Sequence, residues 1–172
     1  MRLITLLFAF SMVASASAAP TDDRQAAVWA AKELTFDYVG FTSWYSCDGL
    51  RDKVSQALVL LGARRDLAVT SFRCTKPNGP ELFPGVKIQV STLKPVTGGV
   101  QDGAIQAQWK RVNLGGLNKL TPGDCELAEQ IRDQILPLFT TRNLKAQINC
   151  VPHQESAGNI QLAVDVLVPA KD

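Results

Sequence analysis

Four cysteines and one histidine are the side chains of this sequence with the widest chemical range. Cys47, Cys74, Cys125 and Cys150 can serve as metal-binding thiolates, as a redox pair or as cross-links, and His153 is the lone imidazole. Cys150-Val151-Pro152-His153 puts a thiol and an imidazole within one turn, a pair that can clasp zinc or copper. Two ligands are too few for a structural metal site, and a cysteine held in a disulfide is no ligand. No C-x-x-C occurs, which removes thioredoxin-type redox chemistry, and no C-x-x-C-H marks haem attachment. His153 therefore reads as a loop residue beside a proline, and neither metal nor cofactor is expected.

Nucleophilic hydrolysis requires a base beside the nucleophile. His153 has Ser156 three positions on, but no G-x-S-x-G elbow accompanies them. Paired carboxylates are the other route, and Asp48 with Asp52, or Glu129 with Asp133, stand at i,i+4. Asp48 and Glu126 each follow a helix-initial cysteine, where an acid suits the positive end of the helix dipole. The other acids lie beside Arg51, Lys53 and Arg132 and read as solvated helix faces. The glycine-rich stretches Thr97-Gly98-Gly99 and Gly115-Gly116-Leu117-Asn118-Lys119 fit no phosphate-loop spacing and read as turns. Phe36, Tyr38, Phe41, Trp44 and Tyr45, with Trp109 later, form the aromatic set. Most of it is assigned to the core, with the polar-tipped Tyr38 and Tyr45 as the candidates, together with His153, for a binding surface. Arg64-Arg65 and Lys110-Arg111 are short basic pairs, and 18 Lys plus Arg against 16 Asp plus Glu leaves a net charge of +2. Nothing in that balance calls for nucleic acid or an anionic membrane as partner.

The elements that carry these residues repeat along the chain. After Cys47, Leu50, Val54, Leu58 and Leu61 recur at helical spacing, and the chain then reaches Cys74. After Cys125, Leu127, Ile131, Ile135 and Leu138 do the same before Cys150. Gly62 is placed to end the first helix, and Pro137 to kink or end the second near Leu136. Ala68, Thr70 and Phe72 match Leu144, Ala146 and Ile148 at period two, while Val86, Ile88 and Val90 match Ile160, Leu162 and Val164 before Pro95 and Pro169. A strand over Leu34 to Tyr45 precedes the first helix and one over Ala104 to Leu114 the second. Residues 22 to 31 read equally as a short helix or as an extended lead-in.

The expected fold is thus α+β: a tandem β-α-β-β repeat with pseudo-twofold symmetry, two helices lying on a mainly antiparallel sheet. The first module covers residues 19–96, a hinge 97–103, and the second module 104–172. The buried set is Leu50, Val54, Leu58, Leu61, Ile131, Ile135 and Leu138. Each module alone is small for a stable core, so the two are expected to pack as one unit. Four cysteines allow three pairings. A strand and the later strand joined through a helix run parallel, which brings the helix start to the edge where the later strand ends. That geometry selects Cys47–Cys74 and Cys125–Cys150.

At the N-terminus, Met1-Arg2, the apolar run from Leu3 to Val13 and Ala16-Ser17-Ala18 follow the order of a secretory signal. Cleavage is expected after Ala18, because Pro20 would obstruct it one residue later. The apolar run is too short to span a bilayer, and no cysteine follows the cleavage site to take a lipid. The expected product is a soluble periplasmic or secreted protein, with no membrane insertion once the signal is removed.

Tyr45-Ser46-Cys47-Asp48-Gly49-Leu50, continuing to Leu60-Leu61-Gly62-Ala63-Arg64, resembles a motif of small uncharacterised secreted proteobacterial proteins. The resemblance covers roughly Leu34 to Cys74. It implies export and carries no activity, ligand or catalytic residue. The residues themselves favour a non-enzymatic binding or interaction module, with an unknown protein or small ligand meeting equivalent loops at 75–85 and 151–159. The alternative is a small exported hydrolase using carboxylates or His153, which requires an acid of raised pKa in a pocket or His153 facing an acid and a hydroxyl.

Overall fold

The computed structural model describes residues 24–76, 79–99, 101–116, 119–154 and 160–171. The signal segment and Ser156 lie outside them. Six strands, β1 (Arg24–Asp37), β2 (Ala68–Phe72), β3 (Gly85–Pro95), β4 (Ile105–Asn113), β5 (Thr141–Gln147) and β6 (Gln161–Pro169), form one antiparallel sheet in the order β2-β3-β1-β4-β6-β5. Helix α1 (Cys47–Leu60) follows β1 and helix α2 (Cys125–Gln130) follows β4. Each half therefore runs β-α-β-β, and from either edge inward its strands come second, third, first. β1 and β2 are both antiparallel to β3 and so parallel to each other, and β4 and β5 stand likewise about β6. The halves join where Arg24–Ala27 pairs with Ile105–Gln108.

That relation places the cysteines as expected. Cys47 is bonded to Cys74 with Cα atoms 6.1 Å apart, and Cys125 to Cys150 with Cα atoms 5.7 Å apart. Helix α1 is entered through Ser46, whose hydroxyl accepts the Gly49 amide at 3.1 Å. It ends at Gly62, which takes φ 86° and has the Val168 side chain where a Cβ would sit. Pro137 acts on the second helix as its missing N–H requires: after six α-helical residues the chain widens into a π turn over Ile131–Ile135 and tightens into a 3-10 turn over Leu136–Leu138.

One buried cluster takes Leu50, Val54 and Leu58 from α1 and Leu61 from its C-cap, Leu127, Ile131 and Ile135 from the second helix, and Phe36, Val86, Ile88, Val90, Leu162, Val164 and Val166 from the sheet. Leu138 packs half-buried against it. Both halves contribute, so neither has a core of its own. On the helix-free face Trp29, Leu93, Trp109 and Leu167 cluster around Ala27 and Ala107, with the Arg142 guanidinium 4.3 Å over the Trp109 ring.

Three expectations about strands are corrected. The first strand is Arg24–Asp37, not Leu34–Tyr45, so residues 24–31 are extended and 38–46 form a loop. In β2 the alternation is displaced by one residue. Val69 sits opposite Ile88 on the core face, while Ala68 and Thr70 are exposed on the other. In β5 Leu144 and Ala146 are exposed, because this edge strand lies beyond the helical cover and is bulged between Arg142 and Lys145; Ile148, past the strand end, is buried.

Candidate functional site

The loop 38–46 leaves β1 across the N-terminal turns of the second helix, and there the sequence-selected tyrosines lie. Tyr38 is 1% exposed, which removes it from any surface, and Tyr45 is half-buried. Their rings meet edge to face at 4.9 Å. The physical reason for the correction is that each phenol has a polar partner inside. Tyr38 donates to the Ser43 carbonyl at 2.8 Å and reaches Glu126, and Tyr45 donates to Asp124. Burial, reinforced by the carboxylates of Glu126 and Asp124, pushes both phenols far above the ordinary tyrosine range.

Asp124 is buried and accepts from four groups: the Tyr45 hydroxyl, the Lys53 ammonium at 2.8 Å, and the Thr121 amide and hydroxyl at 2.7 and 2.8 Å. Burial alone would raise its pKa, but the bonds from Lys53, Tyr45 and Thr121 outweigh it and hold the carboxyl below its ordinary value of 3.8. Its stabilising share is therefore complete above that ordinary value and is lost as pH falls through the lower folded pKa. Asp124→Asn is expected to be less stable than the native chain at neutral pH, with the gap closing below about pH 4 as the native carboxylate is protonated. Urea midpoints of both proteins against pH test this; a gap independent of pH would refute it.

Glu126 is 8% exposed and reaches out of its own half. Its two oxygens accept the Phe41 amide at 3.0 Å each, the Thr42 amide at 3.0 Å and the Thr42 hydroxyl at 3.3 Å. One turn on, the Gln130 amide brackets Val39, accepting from its N–H at 3.0 Å and donating to its carbonyl at 2.7 Å. Ser43 donates to the Gly123 carbonyl. Glu126 is thus a clamp on the other half's loop rather than the dipole partner its position implies; Asp48, its counterpart on α1, is exposed and paired with Arg51 at 2.8 Å.

The neighbouring loop is built in the same way. Glu81, also buried, accepts the amides of Thr75 and Lys76, which hold its carboxyl below the ordinary range, and its own amide donates to the Tyr45 carbonyl at 3.0 Å. On the other flank, Thr42 bonds the Gln154 carbonyl at 3.5 Å, and the His153 ring lies 5.8 Å from that of Phe41. The buried charged residues among those described are these three acids, and each fixes one of these loops.

What the loops hold outward is apolar. Phe41 is 55% exposed, Trp44 59%, Leu82 62% and Phe83 58%, with Val39 and Val151 also exposed. Among the described residues the other exposed large hydrophobics are Val59 and Leu144. The aromatic exceptions to core packing are therefore Phe41 and Trp44 rather than the tyrosines. Gly40-Phe41-Thr42-Ser43-Trp44 has the small-polar composition of a turn, and Thr121-x-x-Asp124 has capping-box spacing; both were signals for these residues. The contacts of Lys53 with Asp124 and of Gln130 with Val39 cross between distant segments and leave no local signature, while Glu81 bonds amides five and six residues before it.

His153, at φ 64° in an exposed turn, has the Phe41 ring beside it and no acid or hydroxyl partner among the described residues. Asp124 and Glu126 have their oxygens occupied by protein donors. No group of three metal-ligating side chains occurs among the described residues, and no helix there is long and apolar enough to cross a membrane. The chain matches no family model, no curated protein and no solved structure.

Proposed function

We propose that this chain is an exported binding module that engages its partner through the loop end formed by 38–46, 73–76 with 79–84, and 148–154. The observation that carries the reading is the pairing of three buried acids with exposed aromatic tips. A loop presenting large apolar side chains to water is stabilised here by Glu81, Asp124 and Glu126, each placed inside the fold to accept donors of those loops or their neighbours. Rigid presentation of apolar groups lowers the ordering cost of association. Exposed apolar clusters of this kind mark interaction surfaces.

Export to the periplasm or the exterior, after cleavage behind Ala18, agrees with two disulfides, which persist in oxidising compartments. The resemblance to small secreted proteobacterial proteins supports the same address. The halves, alike in element order and strand order, are read as an internal repeat whose equivalent loops have diverged. One carries Leu82 and Phe83 and the other Val151 and His153.

Benzophenone side chains placed at 41, 44 or 83 in cells producing the protein are expected to give a discrete photo-adduct, and the same probe at Val59 or Leu144 none. Adducts of equal yield from all five positions, or from none, would refute the reading.

A further inference from the structure

We propose that the occupant of this loop end is the surface of an anionic lipid bilayer, docked peripherally by Phe41, Trp44, Leu82 and Phe83 with Arg73 and Lys76 set against the headgroups. The inference rests on the binding reading above and names its partner. Three features of the site lead to a bilayer.

The apolar groups come from adjacent loop tips, and the depressions seen among the described residues, including an open one of about 580 Å³ beside Gly115, Lys145 and Ile160, are lined by other side chains. Small-molecule sites are concave, whereas an interface of lipid headgroups and acyl chains accepts protruding side chains without a matching shape. The aromatic content also suits the headgroup level, where tryptophan and other amphipathic rings concentrate.

Within the two loops the outward charge is of one sign. Loop 38–46 has no charged residue, and the one acid of loop 73–84, Glu81, is turned inward onto amides. Arg73 and Lys76 of that loop are exposed, and Lys87 follows at the start of β3, with Arg73 and Lys87 lying 5.2 and 5.9 Å from the Phe72 ring centroid. Among the described residues nearby, Asp37 pairs with Arg73 at 3.0 Å and Asp48 with Arg51 at 2.8 Å, which leaves Lys76 and Lys87 as a cationic surplus. A net charge of +2 over the whole chain is too small to bring it to an anionic surface, but a local surplus beside apolar tips acts where the contact forms.

The tips are also held rigidly. The amides of Phe41 and Thr42 are fixed by Glu126, Thr75 and Lys76 are held by Glu81 next to the Cys47–Cys74 disulfide, and Glu81 is itself bonded to the Tyr45 carbonyl. Docking then costs little ordering of the loops.

Flotation with phosphatidylcholine vesicles containing about one-third phosphatidylglycerol tests the proposal. The protein is recovered after export, and its intact mass defines the N-terminus, so that an uncleaved leader is not mistaken for the site. The native chain is expected to float with these vesicles, and less with phosphatidylcholine alone. Phe41→Ser with Phe83→Ser is expected to reduce the bound fraction roughly tenfold, and Lys76→Glu several-fold with loss of salt sensitivity. Trp44→Ser is a second variant should the double substitution fail to fold, and Val59→Ser and Leu144→Ser are the controls. A native chain that stays in solution, or controls that lose as much as the tip variants, overturns the bilayer as partner. Adducts from 41, 44 and 83 to a protein without flotation overturn the bilayer and leave the binding reading standing. Neither adduct nor flotation overturns both.

Discussion

Replacing Cys125 and Cys150 together by alanine is expected to lower the unfolding free energy by about 3 to 4 kcal/mol. The bridge closes a sequence separation of 25 residues, and its main effect is to restrict the unfolded chain. The second helix has little local strength to substitute for it. It keeps α geometry for six residues before the π turn that precedes Pro137, whereas α1 runs for fourteen behind the Ser46 cap. Removal of Cys47–Cys74, with a separation of 27, is expected to cost a similar amount, since closure entropy changes slowly with loop length. Against about 5 to 15 kcal/mol for a typical domain, either loss is severe. Urea unfolding of the oxidised native chain and the double variant measures it. A shift below about 1 kcal/mol at unchanged slope would show that the packed halves, not the bridge, hold the second helix.

Helical spacing made α1 legible to the residue. Its buried stripe, its glycine stop and the cysteine at its start all stand in the sequence, because each is a local decision. The disulfide pairing was also within reach, since it followed from the parallel relation of the strands flanking each helix. Strand faces were legible only where a strand is covered. Val86, Ile88 and Val90 in β3 and Leu162 and Val164 in β6 alternate because a helix lies above them. Of the edge strands, β2 has apolar residues on both faces and β5 is exposed along its whole length, so their alternation does not report burial, and Ala68, Thr70, Leu144 and Ala146 misled for that reason. The first strand was misplaced because aromatic residues at 38, 41, 44 and 45 resemble a strand, whereas β1 itself contains Ala26-Ala27 and Ala30-Ala31, residues with little strand preference.

The candidate site was less legible, and the reason lies in its distances along the chain. Glu126 and the amides it clamps are 84 and 85 residues apart, and Tyr45 and Asp124 are 79 apart. No window of sequence contains both partners. A tyrosine therefore looked like a surface candidate until its hydroxyl had an address inside, and exposed Phe41 and Trp44 looked like core until the acids beneath them were seen to hold their loop in place.

Glu126→Ala is the substitution expected to act most strongly on that arrangement, with a loss of about 2 to 4 kcal/mol. The carboxylate serves two backbone donors, Phe41 and Thr42, and the Thr42 hydroxyl. A truncated side chain leaves both amides without an acceptor, at about 1 to 3 kcal/mol for each buried donor, reduced where water reaches the loop. Glu126→Gln is expected to cost less, since its carbonyl oxygen still accepts while its amide nitrogen faces the second N–H as a further donor. Hydrogen exchange separates this from general weakening: Phe41 and Thr42 are expected to lose protection before the strands do, because the clamp holds a loop and not the sheet. Lys53→Met offers a contrast, since it removes the cation from Asp124 and leaves the amides of Phe41 and Thr42 bonded. If Glu126→Ala leaves these two amides as protected as in the native chain, the loop is held by its other bonds, to Gln130, Gly123 and Asp124, and the rigid presentation of Phe41 and Trp44 has another origin.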